Sequence, residues 1–318
     1  MHLWRAERDR ALARRHARAP RGAEDPQVRQ ARCLERAKTL IEDGELSRAC
    51  RLLHDTGMAP LTPGVVDQLR RKHPPRRTPM PAELPGVFSR VTVSLTETFR
   101  KLRRRRGTGP SGMRNEYLRA LVAHFDDPRA NQVMPRYDLF ATSLANAELP
   151  SWFYLLYGSS RLVPLVKAEA REPGGDPDAR PVAVGEVGLC AITRTVYAEA
   201  ASVLADYLAP HQVAVGVPGG LDILVHGVRA FLRAQPEHVV VRLDLRNAYN
   251  EIDRCVALRR LAAVPELAHL APLFHALHAP MARLQLSSGR GLFDGVAGRA
   301  GGSEEGVRQG SAESSAVF

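Results

Sequence analysis

The sequence predicts an α+β fold preceded by a small basic helical region, and three observations carry that expectation. Apolar residues recur with helical spacing over most of the chain, while only a few short runs have the β-branched composition of strands. Helices and strands do not alternate as a regular βαβ repeat, and no internal repeat of fixed period is present. Charge is unevenly spread. The 318 residues carry a formal net charge of +11, with 25 Lys and Arg against 12 Asp and Glu in residues 1–110 and 20 against 22 in the remainder. A basic flank on a near-neutral body suits docking onto phosphate, because neutralised phosphates release counterions. An acidic membrane surface would attract the same flank. No run approaches the apolar length of a membrane span, and the arginine-rich start lacks the apolar block of a secretory signal. A soluble protein of the nucleus or cytoplasm, not secreted, is the expectation.

Residues 1–24 are rich in Arg, Ala and His with little apolar periodicity and read as a basic disordered arm. Residues 25–72 read as a small helical unit. Asp25-Pro26 starts its first helix, with a capping side chain followed by proline at the first helical position. Val28, Ala31, Leu34, Ala37, Leu40 and Ile41 keep one apolar face until Gly44. Ser47 is positioned to cap a second helix through Leu53, closed near Gly57, and Thr62-Pro63 opens a third. Residues 73–85 carry five prolines, too many missing amide donors for helix or sheet interior, and read as a linker or extended strap.

From residue 86 onward the α+β body begins. Ser94-Leu95-Thr96-Glu97 has capping-box spacing and predicts a helix through Phe99 and Leu102 that runs into Arg103-Arg104-Arg105-Arg106 and ends at Gly107. Trp152, Phe153, Tyr154 and Tyr157 read as core. Residues 161–167 and 181–184 read as strands joined by a Gly, Pro and Asp-rich loop, 186–208 as one long helix, 239–243 as a third strand and 249–261 as a helix.

Several familiar chemistries are excluded. Gly107-Thr108-Gly109-Pro110-Ser111-Gly112 has the spacing of a dinucleotide fingerprint, but four arginines stand where an apolar strand is required and Pro110 fills a position meant for the tight turn. Gly295, Gly298, Gly301 and Gly302 lack the lysine and hydroxyl of a phosphate loop. The four cysteines, Cys33, Cys50, Cys190 and Cys255, form no Cys-x-x-Cys pair. Cys33, Cys50 and His54 have no fourth ligand at useful spacing and read as helix residues.

Asp244 follows three valines and Leu243, so a strand suited to a covered sheet would deliver a carboxylate that needs a cation. The structural alternative is that Asp244 or Asn247 caps the next helix. Asp244 is one block of an ordered series. Gly109-Pro110-Ser111-Gly112, Leu162-Val163-Pro164-Leu165-Val166-Lys167, Arg180-Pro181-Val182-Ala183-Val184, Gln212 with Gly216, the block from Asp244 to Asn250, and Gly306-Val307-Arg308-Gln309-Gly310 follow one another. Together they resemble the reverse transcriptase (RNA-directed DNA polymerase) domain of non-LTR retrotransposons over residues 86–318.

The resemblance implies an incomplete right-hand polymerase, its fingers and a partial palm. It implies that Asp244 is the first catalytic aspartate, holding Mg²⁺ ions with the Leu245 carbonyl. Tyr249 corresponds to the steric gate that rejects a ribose 2′-hydroxyl. Lys167 and Arg180 correspond to finger residues that grip the triphosphate of a dNTP, and Gln309 and Gly310 to a palm motif lining nucleotide and template. RNA template and DNA primer are the implied partners, and no membrane is; the oligomeric state stays open. Two-metal nucleotidyl transfer needs a second acidic pair, which the family supplies on a hairpin after the Gln-Gly motif. Phe125-Asp126-Asp127 lies upstream of Asp244 and reads as a helix terminus, so the expectation is a fragment that does not polymerise as it stands. Ser311-Ala312-Glu313 also departs from the family's usual Asp, Pro and apolar residue, and Arg308 from its neutral one. A catalytically inactive nucleic-acid-binding remnant is the alternative. Arg103, Arg104, Arg105 and Arg106 fit template-backbone binding, a nuclear-import patch or a solvated helix end.

Overall fold

A computed structural model describes residues 26–53, 57–123, 128–168, 170, 172, 174–213, 215, 217–288, 291–294, 296, 302–308 and 311. The arm of residues 1–24, His54, Phe125-Asp126-Asp127, Gly216, Gly295, Gly298, Gly301, Gln309 and Gly310 lie outside them. The chain divides into two units, Met1–Gly57 and Met58–Phe318.

In the first unit, α1 (Pro26–Glu42) and α2 (Leu46–Leu53) pair as an antiparallel hairpin around Gly44, whose φ of +75° suits glycine. Their contact is small. Ala37, Leu40 and Ala49 are buried with Leu52 against them, while Val28, Leu34 and Ile41 of the expected apolar face stay exposed.

The second unit opens with α3 (Pro63–Arg71). The Thr62 hydroxyl accepts from the Val65 amide at 3.2 Å, the cap that the Thr-Pro pair predicts. Sequence groups this helix with the first two, but Val65 and Leu69 are buried in this unit against Leu162, Ala179, Leu284 and Phe293. The proline-rich segment then runs as a strap across the same unit. Arg76 donates to the carbonyls of His278, Ala279 and Glu304, the Thr78 hydroxyl to Asp253 at 2.6 Å, and the Pro81 carbonyl meets His275 at 2.8 Å.

Helix α4 (Thr96–Arg100) corrects the capping-box reading: Leu95 occupies the cap position and no side chain caps it. The amides of Val93 and Leu95 are engaged by the side chains of Thr142 and Asp138, at 3.0 and 2.9 Å, which fixes the entry from another helix. The helix stops at Arg100, so the arginine run is not helical. There follow α5 (Asn115–Ala123), α6 (Pro128–Ala145) and α7 (Ser151–Tyr157). On α7, Tyr154 is buried and donates to the Leu144 carbonyl, but Trp152 is 60% exposed and is not core, because it faces away from Tyr154 on a short helix.

Strands β1 (Ser160–Ala168) and β2 (Asp178–Gly185) form the expected hairpin, antiparallel with Leu162 opposite Ala183 and Leu165 opposite Arg180. Helices α8 (Val187–Glu199) and α9 (Ala201–Leu208) replace the one long helix read from 186–208, bent by 57° near Ala200. Val196, Ala200 and Leu204 are all buried, so the bend keeps one apolar face on the core. Helix α10 (Gly220–Ala234) leaves Leu221, Ile223, Leu224 and Phe231 exposed.

Residues 238–245 then form no strand, which corrects the reading of 239–243. A strand exists only by pairing, and among the described residues nothing pairs with this one; Val239, Val241 and Leu243 are 84%, 73% and 85% exposed. The helix expected over 249–261 is two helices, α11 (Ala248–Glu251) and α12 (Arg254–Ala263). Asp253 separates them, its Oδ1 accepting from the amides of Cys255 and Val256 at 2.9 and 3.0 Å as the cap of α12. A 3₁₀ turn (Ala268–Leu270), α13 (Ala271–His278) and β3 (Leu284–Gln285) follow. β3 runs parallel to β1, giving a sheet of order β2-β1-β3.

The architecture is therefore mixed helix and sheet, with a small three-stranded sheet beside a helical core. That core packs Phe99, Leu118, Leu144, Ile192, Leu258 and Phe274. Among the described residues no single helix is long and apolar enough to cross a membrane.

Candidate functional site

The β1–β2 hairpin supplies two cations. The register shifts between Val166 and Ala168, so Lys167 sits on a bulge, a feature that re-aims a side chain. Arg180 lies opposite Leu165, and both cations are exposed.

A second segment approaches from residues 243–250. Asn247 adopts the left-handed conformation (φ 57°, ψ 26°), which asparagine tolerates better than most residues, and turns the chain into α11. Its side chain makes no cap bond. Instead Nδ2 donates to the Lys72 carbonyl at 2.8 Å and to Glu251 at 3.1 Å, while Oδ1 accepts from the Asn250 side chain at 2.9 Å. Neither structural alternative for this block is thus a side-chain helix cap of the usual kind.

The two segments enclose one cleft of about 580 Å³. Lys167, Arg180, Asp244, Leu245 and Tyr249, all singled out from sequence, line it, together with Lys72, Asp178 and Arg246, which were not. An adjoining cleft of about 840 Å³ shares Lys72, Asp178, Arg246 and Asn247 with the first. Arg103, Arg104, Arg105 and Arg106 do not line either cleft.

Gln309 and Gly310 lie outside the described residues, but the residues just before them reach the site. The Val307 amide donates to the Tyr249 carbonyl at 2.7 Å and the Gly306 amide to the Ile252 carbonyl at 2.9 Å. Gly306 has φ +74°, and a Cβ there would stand 2.4 Å from the Asn250 Cα. Only glycine fits that approach. Gly109 is similar in kind: a Cβ would fall 2.6 Å from the Gly185 carbonyl oxygen, so the Gly109 to Gly112 block docks closely on the exit of β2. There Ser111 donates from its amide and hydroxyl to Glu186, at 2.7 and 2.5 Å.

Cations dominate the first cleft. Lys72, Lys167, Arg180 and Arg246 face two carboxylates, Asp178 and Asp244. Lys72 donates to Asp178 at 2.5 Å and to the Ala179 carbonyl at 2.6 Å. That hydrogen bond, and then the charges of Lys72, Lys167 and Arg246, hold the Asp178 carboxyl below its usual range against an opposing pull from burial. A cleft of this charge, with an aromatic ring on its wall, suits a polyanion carrying a flat or sugar-like group.

No protein-family model matches the chain, and no curated protein matches it.

The donor set also bears on metal. Among the described residues no group of three or more His, Cys, Asp or Glu side chains converges as a metal site. Asp178 is engaged by Lys72, which leaves Asp244 and backbone carbonyls such as that of Leu245. Mg²⁺ demands six oxygens in near-octahedral array, and two ions held side by side require shared carboxylates. The described donors do not fit a resident pair of Mg²⁺ ions.

Lys72, Asp178 and Arg246 escaped the sequence reading because their role is set by nonlocal packing. Lys72 ends a helix whose place on the sheet is decided by Val65 and Leu69. The signal available was its position one turn beyond that buried pair.

Proposed function

We propose that this chain is the fingers and partial palm of an RNA-directed DNA polymerase of retrotransposon type, and that the cleft at Asp244 receives the incoming dNTP. The observation that supports this reading is the convergence of Lys167 and Arg180, from one hairpin, with Asp244 and Tyr249, from a segment distant in sequence, around a cleft with surplus positive charge. In this reading Lys167 and Arg180 neutralise the triphosphate, by charge-assisted hydrogen bonds of the kind guanidinium and ammonium make to phosphate. Tyr249 excludes the ribose 2′-hydroxyl by occupying its space. A Mg²⁺ ion that arrives on the triphosphate is part of the ligand, and Asp244 is the carboxylate that would meet it. RNA template and DNA primer are the partners in this reading.

Equilibrium titration with a fluorescent dATP analogue in Mg²⁺ buffer tests the assignment. Lys167→Ala and Arg180→Ala should each weaken binding about tenfold, the loss of one charge-assisted contact of roughly 1.5 kcal/mol. Wild-type affinity in both variants would sink the assignment.

A further inference from the structure

Residues 239–246 offer an unpaired strand to solvent. Val239, Val241, Leu243 and Leu245 alternate with Val240, Arg242, Asp244 and Arg246, the two-residue period of a strand with one apolar and one largely charged face, and every one of these residues is exposed. Among the described residues, no amide or carbonyl of 239–246 makes a backbone hydrogen bond. Such an edge is a template for another strand, and native proteins pair it, cover it or blunt it with charge.

The segment is fed by α10, whose Leu221, Ile223, Leu224 and Phe231 are exposed as well. Phe231 stands edge-on to His238, with ring centroids 5.3 Å apart, where the helix hands over to the segment. A methyl group added at Gly227, in mid-helix, would meet no atom within 4 Å, so the helix is open there. The four apolar side chains of α10 and the four of the segment together present roughly 1,000 Å², above the about 800 Å² that each partner contributes to a stable interface.

The order of residues in the segment selects what covers it. Two identical strands pair antiparallel about a two-fold axis, so the residue on that axis defines the register. With Leu243 on the axis, Leu243 meets its own copy, Val241 meets the partner's Leu245, and Arg242 meets the partner's Asp244, a charge pair that symmetry repeats. With Arg242 or Asp244 on the axis, like charges face each other; with Val241 on it, Arg242 faces Val240. An axis between residues sets apolar side chains against charged ones. Opposite charges directly across a strand pair stabilise it and like charges destabilise it. We infer that two copies of this chain associate through residues 241–245 as an antiparallel β pair centred on Leu243, with the exposed faces of α10 adding to the buried area. An unrelated strand would satisfy the same backbone groups, but the doubled complementarity of Arg242 and Asp244 belongs to a second copy. A contact of this kind is isologous and closes at two chains. In the dilute, monomeric chain the segment is open. The inference stands whether or not the Asp244 cleft takes a nucleotide.

Sedimentation velocity of the full chain, from nanomolar to high micromolar concentration, tests it. Wild type should pass from monomer to dimer and go no further. Arg242→Asp and Asp244→Arg each turn two attractive pairs into two repulsive ones and should weaken self-association about tenfold or more. Mixed in equal amounts, these two variants regain both attractive pairs and should form a heterodimer, and the double variant that exchanges the two charges should dimerise like wild type. Amide hydrogen exchange at residues 241–245 should slow as wild type dimerises and stay fast in either single variant. Circular dichroism confirms that the variants fold. A wild type that stays monomeric throughout overturns the inference, as does a dimer whose 241–245 amides exchange no more slowly. Growth into larger aggregates that ignores the charge variants overturns it, and so do a dimer that survives either single variant and a mixture that remains monomeric.

Discussion

Gly306→Ala is the substitution that tests how the Tyr249 wall of the cleft is held. A methyl group at Gly306 would stand 2.4 Å from the Asn250 Cα and 2.5 Å from the Tyr249 carbonyl oxygen, both backbone atoms that cannot rotate away. Alanine at φ +74° carries a conformational penalty of about 1 to 2 kcal/mol. Backing the two chains apart also loosens the bonds from Val307 to Tyr249 and from Gly306 to Ile252, 2.7 and 2.9 Å long, at about 1 kcal/mol each. The expected loss is therefore about 3 to 4 kcal/mol. Urea denaturation followed by circular dichroism measures it, and thermal melting should drop on the order of 10 °C. Because the displaced atoms belong to Tyr249 and Asn250, dNTP affinity should fall in the same variant at temperatures where it remains folded. A stability loss below about 1 kcal/mol would refute the close approach and the coupling drawn from it.

Three further predictions follow from groups around that junction. Arg254 is buried and donates to the carbonyls of His278, Ser303, Glu305 and Gly306 and to the Ser303 hydroxyl, so Arg254→Met should lose about 3 to 5 kcal/mol in chemical denaturation; near-neutral behaviour would contradict the network. Burial, and after it the charge of Arg254, holds His278 well below its ordinary pKa. The unfolded chain then binds a proton that the folded chain refuses, so stability is whole above about pH 6.5 and falls as pH drops below it, by up to about 1.4 kcal/mol per pH unit. His278→Gln should shrink that acid limb, and parallel melting curves for the two proteins between about pH 7 and pH 5 would count against it. Residues 238–246 are exposed without regular structure, so brief trypsin treatment should cut first after Arg242 or Arg246 among the described residues, and resistance there would mean the segment is covered.

What sequence disclosed depended on how local each determinant is. The start of α3 was legible because Thr62 caps through its own neighbours, and the β1–β2 hairpin because alternating apolar residues flank a Gly, Pro and Asp-rich loop. The break at Ala200 was not, since alanine signals no helix end and the bend follows the core beneath it. Val239 to Leu243 have strand composition, yet strand formation waits on a partner that no local pattern specifies. The arginine run looked like a helix end until tertiary bonds from Asn115, Glu116 and Arg119 fixed it otherwise. In the cleft, the ordered motifs identified Lys167, Arg180, Asp244 and Tyr249, while Lys72 and Asp178 entered through packing alone.

The most direct test of the proposed dNTP site is the ratio of dATP to ATP affinity, measured by competition on the full chain in Mg²⁺ buffer for wild type and Tyr249→Ala. The account predicts that wild type prefers dATP and that Tyr249→Ala admits both alike, because the ring that fills the space of the 2′-hydroxyl is gone. Equal affinity for the two nucleotides in wild type, or an unaltered preference in Tyr249→Ala, would contradict it.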